Sequence, residues 1–66
     1  MRTKYEKYLF LREKAGLTDY KVSKATGIAT ATLTCWKQGK YQPKIDKLQA
    51  LADFFKVDLA EFLEAS

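Results

Sequence analysis

Gly27 and Gly39 bracket the segment GIATATLTCWKQG, which has room for one short helix and nothing larger; a second short helix fits between Thr18 and Gly27. Thr18 carries the hydroxyl that accepts from the unpaired N–H groups of a first helical turn. Gly27 supplies the φ > 0 geometry that lets the chain turn sharply. Gly39 stands where a helix C-terminus takes a left-handed residue. Leu17, Val22, Ile28, Leu33 and Trp36 converge inside the corner, and the small Ser23 admits close helix approach. Residues 16–40 therefore predict two short helices, over about 19–25 and 30–38, folded against each other at a tight turn.

The flanking segments read as helix too. Tyr5, Tyr8, Leu11, Arg12 and Ala15 recur at helical spacing, predicting an amphipathic helix over about residues 3–15 that ends at Gly16. After Gly39 the loop GKYQP bars helix through Pro43. Ile45, Leu48, Leu51, Ala52 and Phe55 then repeat at i, i+3 and i+4 spacing and define a fourth helix. Lys56 and Val57 break it, and Asp58 is placed to cap a short fifth helix whose Leu59, Phe62 and Leu63 close over the core. The expectation is an all-α fold of five helices in one domain spanning residues 1–66. At 66 residues the chain is near the lower size at which a core holds without staples.

Composition removes several function classes. There is no histidine, so the usual acid–base residue at physiological pH is missing, and Cys35 has no such base to activate it as a nucleophile. One cysteine without histidine excludes the common zinc sites. The glycines are scattered, with no cluster to cradle a phosphate cofactor. The chain is expected to be no enzyme, with no metal, no cofactor and no evident small-molecule ligand. A lone cysteine allows no intrachain disulfide, which fits a reducing cytoplasm. No apolar run approaches the roughly 20 residues needed to cross a bilayer, and MRTKYEKYLFLREK is too charged for a signal peptide. A cytoplasmic location and no membrane partner are expected.

Charge is unevenly placed. Residues 1–44 carry ten Lys/Arg against Glu6, Glu13 and Asp19, a balance of +7, whereas residues 45–66 balance at −3. Lysines commonly do no more than solvate helix surfaces. A basic front end that also holds the helical corner is the electrostatic footprint of polyanion binding.

The paired short helices have the form of a helix-turn-helix, whose second helix enters the DNA major groove. Residues 8–63 resemble the five-helix, lambda-repressor-like domain of the Cro/CI type, also called the XRE family. The matching features are Leu11-Arg12, Gly16-Leu17-Thr18, Val22, Gly27-Ile28, Leu33, Trp36, Gly39, Pro43 and the block LQALADFFKVDLAEFL at residues 48–63. The resemblance implies a regulator of double-stranded DNA, of the phage or mobile-element repressor type. Carried over by position, Thr30, Ala31, Thr34 and Cys35 face bases; Asp19, Lys40, Tyr41 and Gln42 face phosphates, with Lys44 nearby. It also implies a weak homodimer, or a dimer formed on a palindromic operator. The exposed apolar candidates for that contact are Phe54 and Leu59. The alternative is a protein-interaction module of the same fold, antitoxin-like or coactivator-like, with little or no DNA binding.

Departures from the family pattern sharpen the expectations. The family often has Gln at position 19; Asp19 repels a phosphate, and its other role is a favourable charge at a helix N-terminus, worth about 0.3–1 kcal/mol. The acid that often pairs with the arginine at position 12 is replaced by Lys37, which leaves Arg12 to Glu13 or solvent. Ala29 stands where a hydroxyl cap is usual, a loss of about 1 kcal/mol unless Thr30 takes the role. Thr26 replaces a usual apolar residue in the corner. Trp36 is expected in the core, holding the third helix against the first and fourth. Tyr41 suits either a phosphate or surface packing, and Tyr5 and Phe10 suit burial or exposure. Cys35 suits either the DNA face or a buried filler. The reader set contains no Arg, Lys, Asn or Gln, so the bidentate contacts to guanine and adenine are missing, and thymine methyl groups are its natural partners.

Overall fold

Thr3 opens the first helix with a reciprocal cap. Its hydroxyl accepts from the Glu6 N–H at 3.1 Å, and the Glu6 carboxylate accepts from the Thr3 N–H at 2.9 Å. The computed structural model describes residues 3–64; Met1, Arg2, Ala65 and Ser66 of the expected 1–66 span lie outside the described residues. Among these, the chain forms five helices and no strand: α1 (Lys4–Lys14), α2 (Asp19–Thr26), α3 (Thr30–Lys37), α4 (Ile45–Phe55) and α5 (Ala60–Leu63). The fold is all-α and lambda-repressor-like, with the helix-turn-helix at α2 and α3. Among the described residues, no helix is long and apolar enough to cross a membrane.

Local chemistry sets most of the boundaries. Thr18 caps α2, accepting from the Lys21 N–H at 3.2 Å. Three helices end alike, with an N–H just past the C-cap bonding back to the carbonyl five residues earlier: Leu17 to Arg12 at 3.0 Å, Lys40 to Cys35 at 2.9 Å and Val57 to Ala52 at 2.9 Å. Gly39 takes the left-handed position at the end of α3, but at the end of α4 that position falls to Lys56, at φ 58°. A β-carbon there costs on the order of 1 kcal/mol, which the half-buried Val57 offsets by packing on the core.

α3 lacks the cap that Ala29 was expected to cost it, and the cap of α5 differs from expectation. α3 has no side-chain cap, so neither Ala29 nor Thr30 fills the role. The Asp58 side chain does not cap α5; its backbone carbonyl accepts from the Glu61 N–H at 2.9 Å instead, because Leu59 is already in a helical conformation.

One continuous core joins the helices through Tyr8, Val22, Ile28, Leu33, Trp36, Leu48, Leu51, Ala52 and Phe62. Trp36 is buried, and its ring lies 5.3 Å from those of both Tyr5 and Tyr8 on α1. Tyr8 in turn meets Phe55 of α4 at 6.1 Å, so the ring chain from α3 reaches α4 by way of α1. Phe54 and Leu59, expected as exposed candidates for pairing, are half-buried against the core, and Phe54 stacks edge-on to Phe55 at 5.1 Å. The large apolar side chains left exposed are Phe10, Tyr20, Ile45 and Leu63. Leu63 therefore does not close over the core: a helix as short as α5 turns one face inward, and Phe62 occupies it. Ile45 is the first residue of α4, and its side chain leans past the end of the helix.

Candidate nucleic-acid interface

α3 has an apolar face and a small polar one. Leu33 and Trp36 are buried, while Thr30, Ala31, Thr34, Lys37 and Gln38 are exposed. Thr30 and Thr34 lie one turn apart, as do Ala31 and Cys35, so the four expected base-reading residues share one side of the helix. Cys35 is half-buried and sits below the crest formed by the other three.

The left-handed turn at Gly39 folds the following loop back toward this face. Lys40 and Tyr41 thereby join Ala31, Thr32 and Cys35 around a surface cleft of about 280 Å³. Tyr41 is half-buried and packs on the core, so it meets the packing expectation while still lining the cleft. Gln42 is exposed and lines a different cleft of about 440 Å³, with Lys37, Trp36 and the start of α1. Lys44 is exposed at the N-cap of α4 and makes no side-chain cap bond. Of the residues expected from sequence, Ala31, Cys35, Lys40 and Tyr41 are thus brought together, whereas Thr30, Thr34, Gln42 and Lys44 line no part of that cleft.

Asp19 is held inward. Its Oδ1 accepts from the Tyr8 hydroxyl at 2.6 Å and lies 3.5 Å from Nη1 of Arg12. Arg12 accordingly turns to Asp19, not to Glu13 or to solvent as expected. Its Nε is buried without a hydrogen-bond partner, and its guanidinium lies 6.0 Å from the Tyr8 ring. The acid missing at position 37 is replaced by one at position 19, so the bridge runs from α1 to α2 instead of to α3. Local spacing gives no sign of this cluster, because Tyr8 and Asp19 meet only through the packing of two helices. Thr26 is tied in locally: its hydroxyl donates to the Val22 carbonyl at 2.8 Å and accepts from the Ile28 N–H at 3.3 Å. It bridges the corner that an apolar residue would merely fill.

The cluster has a pH signature. Burial, and then the hydrogen bond to Asp19, push the Tyr8 phenol well above its ordinary value of 10.0; burial raises Tyr5 as well. A raised folded-state value means stability is fully present below the unfolded value and is lost as pH climbs beyond about 10. Tyr8→Phe is expected to cost about 1.5–3 kcal/mol near neutrality, the usual range for a hydrogen bond to a charged group. The gap between wild type and Tyr8→Phe should narrow as pH rises past 10.0. Urea unfolding of both proteins across that range measures it, and a constant gap would contradict the assignment.

A sequence model of a family described as helix-turn-helix matches residues 10–62. No curated protein matches the chain.

Proposed function

Because the chain belongs to the Cro/CI-type helix-turn-helix family, whose domains are DNA-binding regulators and not enzymes, we propose that it is a repressor of the phage or mobile-element type that occupies an operator through α3. The observation that carries this reading is the cleft where Ala31 and Cys35 of α3 meet Lys40 and Tyr41 of the following loop. Thr30, Ala31, Thr34 and Cys35 face base edges, and Lys40, Tyr41, Gln42 and Lys44 contact phosphates on either side. The neutral face of α3 suits thymine methyl groups and single hydroxyl bonds, so discrimination rests largely on DNA shape. Two chains pair on a near-palindrome, setting their recognition helices about 34–36 Å apart. Asp19 does not stand in the way, since Tyr8 and Arg12 hold its carboxylate toward α1.

Selection of sites from random duplexes, followed by salt titration on the winner, tests this. The selected operator is expected to carry thymine-bearing steps and to bind two chains in sedimentation. Lys40 and Lys44 on phosphates should together contribute about −1.8 per chain to the slope of log Kobs against log salt. Absent or salt-insensitive binding would sink the reading and favour a protein-interaction module.

A further inference from the structure

The position that the family resemblance gives to a phosphate contact at the start of α2 is taken by an acid, and α1 holds that acid. Asp19 Oδ1 is engaged by the Tyr8 hydroxyl and Arg12. One residue further, the helix has turned by about 100°, and Tyr20 stands 63% exposed, the most exposed large apolar side chain described. Lys24, one turn on, places its Nζ 5.6 Å from the Tyr20 ring centroid. Lys21 is exposed between them, and among the described residues no carboxylate pairs with Lys21 or Lys24.

We propose that α2 grips the DNA backbone through Tyr20, Lys21 and Lys24, taking over the contact that Asp19 cannot make. This rests on the DNA-binding reading above. The face is fixed by what the helix buries: Val22 is in the core and Thr26 is bonded into the corner, so Tyr20, Lys21 and Lys24 lie on the opposite side. When the second helix of such a pair lies in the major groove, the first crosses the backbone. Two ammonium groups and a phenol hydroxyl on that side match consecutive phosphate oxygens. The ring of Tyr20 attracts the Lys24 ammonium through its quadrupole, which limits the freedom lost on binding. The nearby N-terminus of α2 adds its partial positive charge. The withdrawal of Asp19 toward α1 keeps the one acid of this helix from opposing the contact.

Operator binding by the full chain is measured across salt for wild type, Lys24→Ala, Lys21→Ala, Tyr20→Phe and, as a control for net charge alone, Lys14→Ala. Each α2 lysine variant is expected to flatten the slope by about 0.9 and to weaken binding about 15-fold at 50 mM salt. Tyr20→Phe should weaken binding with no change of slope, because it removes a hydroxyl and no charge. Lys14→Ala should bind as wild type. Nitration by tetranitromethane should modify Tyr20 in the free chain and be blocked by operator DNA. All four side chains are exposed, and matching circular dichroism melts are the check that each variant folds. If Lys40 and Lys44 substitutions weaken binding while the α2 variants do not, and Tyr20 stays reactive on DNA, this inference is overturned and the DNA-binding reading stands. If wild type binds no duplex, both fall.

Discussion

Replacing Trp36 with alanine is expected to remove a large part of the chain's stability. Trp→Ala in a core costs about 3–5 kcal/mol. At roughly 0.05–0.15 kcal/mol per residue, a 66-residue domain has only about 3–10 kcal/mol to lose. Trp36 is 3% exposed and its ring meets Tyr5 and Tyr8, so truncation removes two aromatic contacts as well as buried area. Those contacts also form the ring path that joins α3 to α1 and, through Tyr8 and Phe55, to α4. Trp36→Phe should fold with reduced stability, because it keeps a ring in contact with both tyrosines. Far-UV circular dichroism with urea titration reads both variants. A cooperative Trp36→Ala transition within about 1 kcal/mol of wild type would show that α3 is anchored by other contacts.

The residues behind that anchoring show which parts of the molecule could be read in advance. Thr18, Gly27, Gly39 and Pro43 act within one turn of the chain, so their chemistry is local and their positions announce the elements. Leu48, Leu51 and Phe55 repeat at helical spacing for the same reason. Ile45 and Leu63 keep that pattern but are exposed, since a periodicity cannot say where a helix begins or how short it is. Phe54 and Leu59 show the converse: their burial depends on Phe55 and on the docking of α5. The link from Lys7 to Glu61, at 2.7 Å, ties the basic front to the acidic tail across α1 and α5, a pairing that no spacing rule reveals.

The candidate interface divides along the same line. The shared side of Thr30, Ala31, Thr34 and Cys35 follows from helical geometry alone. The meeting of Lys40 and Tyr41 with that side depends on the left-handed turn at Gly39, which one glycine makes legible. The withdrawal of Asp19 does not follow from anything near it in the chain. Its consequence is nevertheless large, because an acid that ought to repel a phosphate becomes a brace between α1 and α2.

Reversing both lysines of the following loop, Lys40→Glu with Lys44→Glu, should nearly abolish DNA binding at low salt while leaving the fold intact. Both side chains are exposed, and neither forms an ion pair among the described residues. Two phosphate contacts at a slope of about 0.9 each account for about a 200-fold gain in affinity per chain at 50 mM salt, measured against the 1 M limit, and about 20-fold at 200 mM. The double variant should forfeit at least that much at each salt concentration, since the new carboxylates repel what the lysines attracted. Its dependence on salt should be flatter by about 1.8 per chain. The loss should be nearly equal for the selected operator and for unrelated duplexes, because phosphate contacts position the domain without reading sequence. A loss confined to the operator would instead place these lysines on base edges. Unchanged affinity at 50 mM salt would move the binding face away from the α3 cleft altogether, and α2 with its Tyr20–Lys24 pair would be the next surface to reverse.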